Sequence, residues 1–321
     1  MAYRRPDVYI EEILTPEIAP NGISTSIAAF LGFADRGPAN TPIFIDSFAS
    51  FKRTFGDAVE GESLFYSVLS FFENGGAACY IIRLIDVSAC EGDGNNPATV
   101  LPANHSFTNA ANNNPEFLKF EGGYRGLPSF GSWAKGLKVK LSLNTSFSGG
   151  ALAADAQATD FSLQVNTTSG LAVGDLIKVE GEIGGNANQT AYFKITGIRS
   201  DSSTGQVKKF VDISATPSAV ITAAATVTLL AYDVEVSYDK EVFETFDRLS
   251  MNPDNDRYFE TVINDEQVGS TFVRVSDLIT GTLLSSDREL NSVSNGVGEL
   301  LDTATAGQDE KANFGISESL L

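Results

Sequence analysis

The chain has 321 residues, 42% of them hydrophobic and 20% charged, and 22 Lys and Arg stand against 41 Asp and Glu for a formal net charge of −19. That apolar content excludes wholesale disorder, and the length suffices for two or three compact domains. The negative charge argues against direct binding of nucleic acid or of an anionic membrane, since it repels both; it serves either solubility or a match to a basic partner surface.

Residues 1–20 open with Met1-Ala2-Tyr3-Arg4-Arg5-Pro6, and no apolar stretch follows the Arg pair, so no export signal is expected. Pro6, Pro16 and Pro20 surround an alternating Val8-Tyr9-Ile10 patch that has no partner strand nearby in sequence. This pattern predicts an extended arm. Its backbone donors and acceptors would be satisfied by adding a strand to another chain's sheet edge, a self-docked or disordered terminus being the alternative.

Residues 21–95 read as an α/β unit. Ile27 to Ala34 is an apolar run ending at the turn signal Asp35-Arg36-Gly37-Pro38, which predicts a buried strand, and Pro42 to Ile45 predicts a second. Ser47 is a candidate N-cap for a helix carrying Phe48, Phe51 and Phe55 and closed by Gly56. Glu62 to Asn74 carries a broad apolar helical face and ends at Asn74-Gly75-Gly76, after which Ala78 to Leu84 predicts another buried strand. Strand, helix and strand in that order argue for helices laid on a sheet. Of the two cysteines, Cys79 falls inside this last strand, and Cys79 and Cys90 fit free thiols in a reducing cytoplasm.

Residues 96–275 read as β-rich, entered through loops at 91–97 and 109–115. Gly136 to Leu143 alternates cleanly, with Leu137, Val139, Leu141 and Leu143 on one side, as a half-buried strand does. Residues 155–230 hold five strand-like runs, Phe161–Val165, Leu176–Glu180, Tyr192–Ile198, Phe210–Ile213 and Val227–Leu230, separated by turns such as Ala172-Val173-Gly174-Asp175. That spacing predicts an inserted small barrel or sandwich. Tyr232–Tyr238 and Glu241–Phe246 form a hairpin pattern, and Thr271–Val275 a further strand. Residues 276–321 look like the start of a further domain, truncated or divergent. The expected fold class is therefore α+β and multidomain, with no run apolar enough to cross a bilayer.

The residues for common chemistries are missing from this sequence. The single histidine, His105, sits in the polar stretch Pro102–Ser106, read as a loop, which leaves no multi-histidine metal site and no nucleophile motif nearby. Neither a phosphate-binding glycine loop nor GxGxxG is present. Asp86, Glu91 and Asp93, and likewise Asp254 and Asp256, lack the spacing of a calcium loop and read as solvated carboxylates. Trp133, the sole tryptophan, reads as a core or interface anchor. No catalytic residue, metal ligand or cofactor is expected.

Several stretches resemble, in order and spacing, the tail sheath proteins of contractile phage tails and phage-tail-like injection systems. They are Pro6-Asp7-Val8-Tyr9-Ile10-Glu11-Glu12, Gly22 to Phe30, Gly32-Phe33-Ala34-Asp35-Arg36-Gly37-Pro38, Phe48 to Gly56, Phe71 to Gly76, Cys79 to Arg83, Gly131 to Leu137 and Phe246 to Asn264. The resemblance covers roughly residues 6–84, 131–143 and 232–275. It departs at Asp7, where the family has Gly, and after Leu278-Ile279-Thr280-Gly281, where the family continues into further domains.

The resemblance implies a structural, self-assembling sheath subunit that stacks as six-fold rings around an inner tail tube and contracts to drive injection. A baseplate or tail-terminator component sharing the N-terminal fold is the alternative. Implied partners are neighbouring copies, the inner tube protein, and baseplate and terminator proteins, with no nucleic acid and no direct membrane binding. The implied location is a virion tail or tail-like particle assembled in the bacterial cytoplasm. The inter-subunit arm would comprise Val8, Tyr9, Ile10, Glu11, Glu12 and Ile13.

Overall fold

The computed structural model describes residues 27–85, 102–108, 116–144, 147, 150–203, 205–238 and 241–279, together with the backbone of 297–299. The arm residues Val8 to Ile13, Cys90, the acidic loop at 86–93 and most of 276–321 lie outside these. The fold is mixed and strand-rich, and its buried side chains form three separate clusters.

The first cluster belongs to a three-stranded sheet ordered β1-β3-β2, made of β1 (Ile27–Gly32), β2 (Ile43–Ile45) and β3 (Ala78–Arg83). β1 runs parallel to β3, so the chain between them must cross over, which it does through α1 (Phe48–Phe55) and α2 (Leu64–Glu73). The hydroxyl of Ser47 accepts from the Ser50 N–H at 3.2 Å, starting α1 where the sequence predicts, and Gly56 stops it at φ 84°. Both helices cover one face of the sheet. Cys79, Ile81 and Ile45 point into that layer against Phe51, Phe55 and Val68, all essentially solvent-free. Burial pushes the Cys79 thiol up to about 11.

The other face corrects the expectation that β1 and β3 are buried strands. Ile27 and Leu31 are 51% and 61% exposed, and Tyr80 on β3 and Phe44 on β2 are exposed with them. The sequence run looks continuous because alternate apolar residues serve two different faces, and among the described residues helices cover only one of these.

The second cluster lies between two four-stranded sheets. One is ordered β16-β5-β4, from β4 (Asn104–Thr108), β5 (Glu116–Tyr124) and β16 (Val273–Asp277), with β6 (Leu127–Pro128) pairing β5 off that path. The other is ordered β15-β14-β7-β17, from β7 (Lys138–Leu143), β14 (Ala231–Tyr238), β15 (Glu241–Ser250) and β17 (Val297–Glu299). Phe117, Phe120, Val139, Val236 and Val273 meet between them, and Phe259 and Ile263 of the short helix α3 (Phe259–Ile263) join the core. The expected hairpin is β14 with β15, registered Val234 opposite Phe246. Two expectations change here. His105 lies in β4 opposite Phe120, its ring edge-on to Phe107 at 4.9 Å, because pairing with β5 satisfies a backbone whose polar side chains suggested a loop. Leu143 is exposed at the end of β7, whereas Val139 and Leu141 are buried as the alternation predicts.

The third cluster fills the inserted segment. β8 (Gly150–Ala151), β9 (Ser162–Val165), β10 (Leu176–Ile183), β11 (Asn186–Asp201), β12 (Lys208–Ile213) and β13 (Thr226–Leu229) form one sheet ordered β8-β13-β10-β11-β12-β9. Its two end strands meet again through a Leu152–Val165 bridge and the Ala153 N–H to Gln164 carbonyl bond, so the sheet curls onto itself around Leu163, Ile177, Val179, Ile195 and Val211. Closure removes the exposed edges that a small β unit otherwise presents. The curl starts at Gly150, ahead of the expected 155, since β8 is too short to show any alternation.

Candidate functional site

Nothing among the described residues gathers three or more His, Cys, Asp or Glu as a metal ligand set, and no described helix is long and apolar enough to cross a membrane. Asp254 instead pairs with Lys194 at 2.8 Å. What the structure does assemble is two buried polar joints and one open apolar surface.

The first joint fastens the β1-β3-β2 sheet to the neighbouring strands. Arg83 ends β3 on its inward face and is fully buried. Its guanidinium donates to the carbonyls of Ala34 (3.0 Å), Gly37 (3.0 Å) and Phe130 (3.1 Å), binding the 34–37 turn and the segment at Phe130 with one planar fork. Ser129 adds a reciprocal pair, accepting from the Gly37 N–H at 3.0 Å and donating to the Gly37 carbonyl at 3.1 Å. Gly37 has φ 105°, and a Cβ there would lie 2.8 Å from the Phe55 ring, so this approach demands glycine. Beside it, Arg36 lies over the rings of Trp133 and Phe272 and donates to the Arg53 carbonyl at the end of α1. Asp35 follows the same logic: burial raises its pKa, against the lowering effect of Arg36 and Arg83. Trp133 is thus an anchor at a seam, with its indole N–H donating to the Ser129 carbonyl at 3.2 Å.

The second joint fastens the curled sheet to the hairpin. The Ala172–Asp175 turn, with Gly174 at φ 92°, delivers the Asp175 carboxylate into a site where it is only 6% exposed. It accepts from Arg248 at 2.7 Å, from the Ala172 N–H at 2.8 Å and from Asn255 at 3.4 Å. Arg248 reaches it because a register shift in the hairpin places Arg248 at φ 52°, its N–H bonded to Asp233 at 2.7 Å. Asn252, fully buried, donates to the Gly174 carbonyl at 2.7 Å. The segment 246–264 therefore serves as a clasp.

A second buried carboxylate pairs across the core sheet. Burial alone would push Glu121 up, but hydrogen bonds and charge from Lys119 and Arg274 hold its pKa below the usual glutamate value. A group depressed in the folded state contributes its full stabilisation above the unfolded pKa and loses it as pH falls through the folded one. Glu121→Gln should therefore cost about 2 kcal/mol near neutrality and progressively less below about pH 4, as urea titrations across that range would measure. A cost independent of pH would show that the carboxylate's charge is not what matters.

The sequence reading singled out Trp133 and the acidic loops but missed Arg83, Asp175 and Arg248. A signal existed for Arg83: it occupies the inward position of the alternation Cys79, Ile81, Arg83, where a charged residue must find buried partners.

The open surface is the helix-free sheet face. Ala29, Tyr80 and Phe44 stand in register across β1, β3 and β2, with Ile27 and Leu31 flanking, and the Phe44 and Tyr80 rings meet edge to face at 5.5 Å. At the β2 end it runs into a groove of about 700 Å³ walled by Phe44, Tyr124, Arg125, Leu127, Asn264 and Glu266. The chain matches no family model and no curated protein.

Proposed function

We propose that the chain is a structural subunit of a contractile tail sheath, polymerising as stacked six-fold rings around an inner tube and performing no catalytic step. One observation carries this reading: stretches that resemble the sheath family but lie far apart in sequence meet at one seam. Arg83 bonds Ala34 and Gly37, Arg36 stacks on Trp133, and Phe130 precedes the Gly131–Leu137 stretch. A set of residues kept together by one joint is what a shared fold requires, and it supports the resemblance beyond the short matches themselves.

The physical organisation suits an assembly protein. In this reading the three core clusters are domains, the α/β unit with its open face is where neighbouring copies engage, and the curled insert faces outward. Contraction then draws on a difference in contact between two packings of the same folded chain, since nothing is hydrolysed. The arm around Val8–Ile13 links copies while their bodies slide.

Electron microscopy of source-cell lysate with antibody against residues 160–213 tests this. Label along the whole length of rod-shaped particles is expected; label at one end only would replace the sheath reading with a baseplate or terminator component. Deletion of residues 1–16 should leave a folded subunit that no longer forms long tubes, and normal tubes from that deletion would remove the arm from the mechanism.

A further inference from the structure

The cap that ends α2 holds the one asparagine–glycine pair among the described residues, Asn74-Gly75, and both residues are exposed. Asparagine is thermolabile, most of all before glycine, which leaves the next backbone nitrogen unshielded by a side chain. In the reaction the Gly75 nitrogen loses its proton and bonds to Asn74 Cγ, and the side-chain nitrogen leaves as ammonia. Water then opens the cyclic succinimide at either carbonyl, giving aspartate or, with the main chain routed through the side chain, isoaspartate. Water is the only co-reactant.

The folded cap opposes the first step. Asn74 sits at φ −88° and ψ 16°, which turns its side chain away from the Gly75 nitrogen, so ring closure requires ψ to rotate. The Asn74 Nδ2 donates to the Ser70 carbonyl at 2.7 Å and holds the amide against the helix. The Gly75 N–H donates to the Phe72 carbonyl at 3.1 Å and the Gly76 N–H to the Phe71 carbonyl at 2.9 Å, the paired bonds of a Schellman cap. These bonds lie beyond Leu64 and Val68, the buried residues of α2, on a last turn of the kind that opens locally. No heavy atom lies within 4 Å of a Cβ position at Gly75, so the opened turn has room to cyclise.

The same cap makes the product consequential. α2 has no basic residue in its last turn, so a carboxylate at position 74 faces the C-terminal carbonyls without a compensating charge and no longer donates to Ser70. Isoaspartate also adds a methylene to the main chain just before Gly75. Gly76 cannot absorb that shift, since a Cβ there would lie 2.4 Å from the Phe71 ring, which packs edge-on against Phe30 of β1 at 5.4 Å.

We infer that Asn74 is a deamidation site, gated by fraying of the last turn of α2, whose product irreversibly loosens the helix from β1. The reaction depends on α2 and its cap, not on the assembly the chain enters.

The test holds the full-length chain folded at mildly alkaline pH and samples it over time. Trypsin releases Thr54–Arg83, in which Asn74 carries the only side-chain amide, so an amide-to-acid mass change in that peptide reports the site. Isoaspartyl methyltransferase labels the rearranged product. Conversion should run about fivefold above that at Asn186 and Asn188, which are exposed but precede larger residues, and about tenfold below that of a synthetic 71–78 peptide. Ser70→Gly should speed it about fivefold relative to Ser70→Ala, because this exposed position changes helix propensity alone. Hydrogen exchange from Phe71 to Gly76 should rise about tenfold in Asn74→Asp. Conversion no faster than at Asn186 and Asn188 overturns the site, and a rate equal to the peptide's overturns protection by the cap. Equal rates in the two Ser70 variants overturn fraying as the gate, and unchanged exchange in Asn74→Asp overturns the loosening.

Discussion

Arg83→Met should destabilise the protein by about 3–5 kcal/mol, the largest effect expected of any single substitution outside the aromatic core. The methionine fills much of the same volume, so the loss is not chiefly a cavity. It comes from the carbonyls of Ala34, Gly37 and Phe130, which lose a shared donor in a place where the arginine side chain is 0% exposed. Arg83→Lys should recover less than half of this, because one ammonium cannot match a planar fork aimed at three carbonyls. Trp133 is the sole tryptophan and sits at the same seam, so its fluorescence reads the joint directly, while circular dichroism reads the whole. The expected result is a fall in urea midpoint seen by both, with the tryptophan signal moving first. A change under about 1 kcal/mol would mean that water satisfies these carbonyls and that the seam is held by Ser129 and apolar contact instead.

Asp175→Ala is expected to cost about 2–3 kcal/mol, with a different distribution across the molecule. The carboxylate takes bonds from Arg248, Ala172 and Asn255, and its removal leaves Arg248 one-third exposed and without its anion. The curled sheet has its own core of Leu163, Ile177, Val179, Ile195 and Val211, so it should stay folded while its attachment loosens. Hydrogen exchange should therefore accelerate in the 170–175 turn and around Arg248 but not at β12. Combining Asp175→Ala with Arg248→Met should cost about 1 kcal/mol less than the two changes added, since the stranded charge is then gone. Strict additivity would show that the pair is not coupled and that Asn252 alone carries the joint.

Both joints bear on the proposed assembly. A sheath subunit must move as a rigid body between two packings, and polar clasps that over-determine the angle between its parts keep contraction from dissipating as internal bending. Loosening the Asp175 clasp should leave tube formation intact, because the curled insert is expected to stand on the outside. Loosening the Arg83 seam should impair tubes, because it sets the position of the open sheet face where copies are proposed to engage.

What the sequence determined by itself was local. Ser47, Gly56 and the phenylalanines between them specify α1, and the alternation through Val139 and Leu141 specifies β7. The regular turn signals after residue 155 specify a small β-rich insert, because caps, glycines and period-two patterns act within a few residues of the backbone they shape. Tertiary structure alone decided three matters. His105 joins a strand because β5 offers it a partner, the insert curls closed because Leu152 meets Val165, and the apolar run at Ile27–Ala34 is split between a covered and an open face. Each depends on what arrives from distant sequence to satisfy a backbone bond or exclude water from a side chain. Composition along one segment carries no record of that. Arg83 stands between the two: its inward position was readable, but the carbonyls that need it come from residues 46 to 49 positions away and meet only in the folded chain.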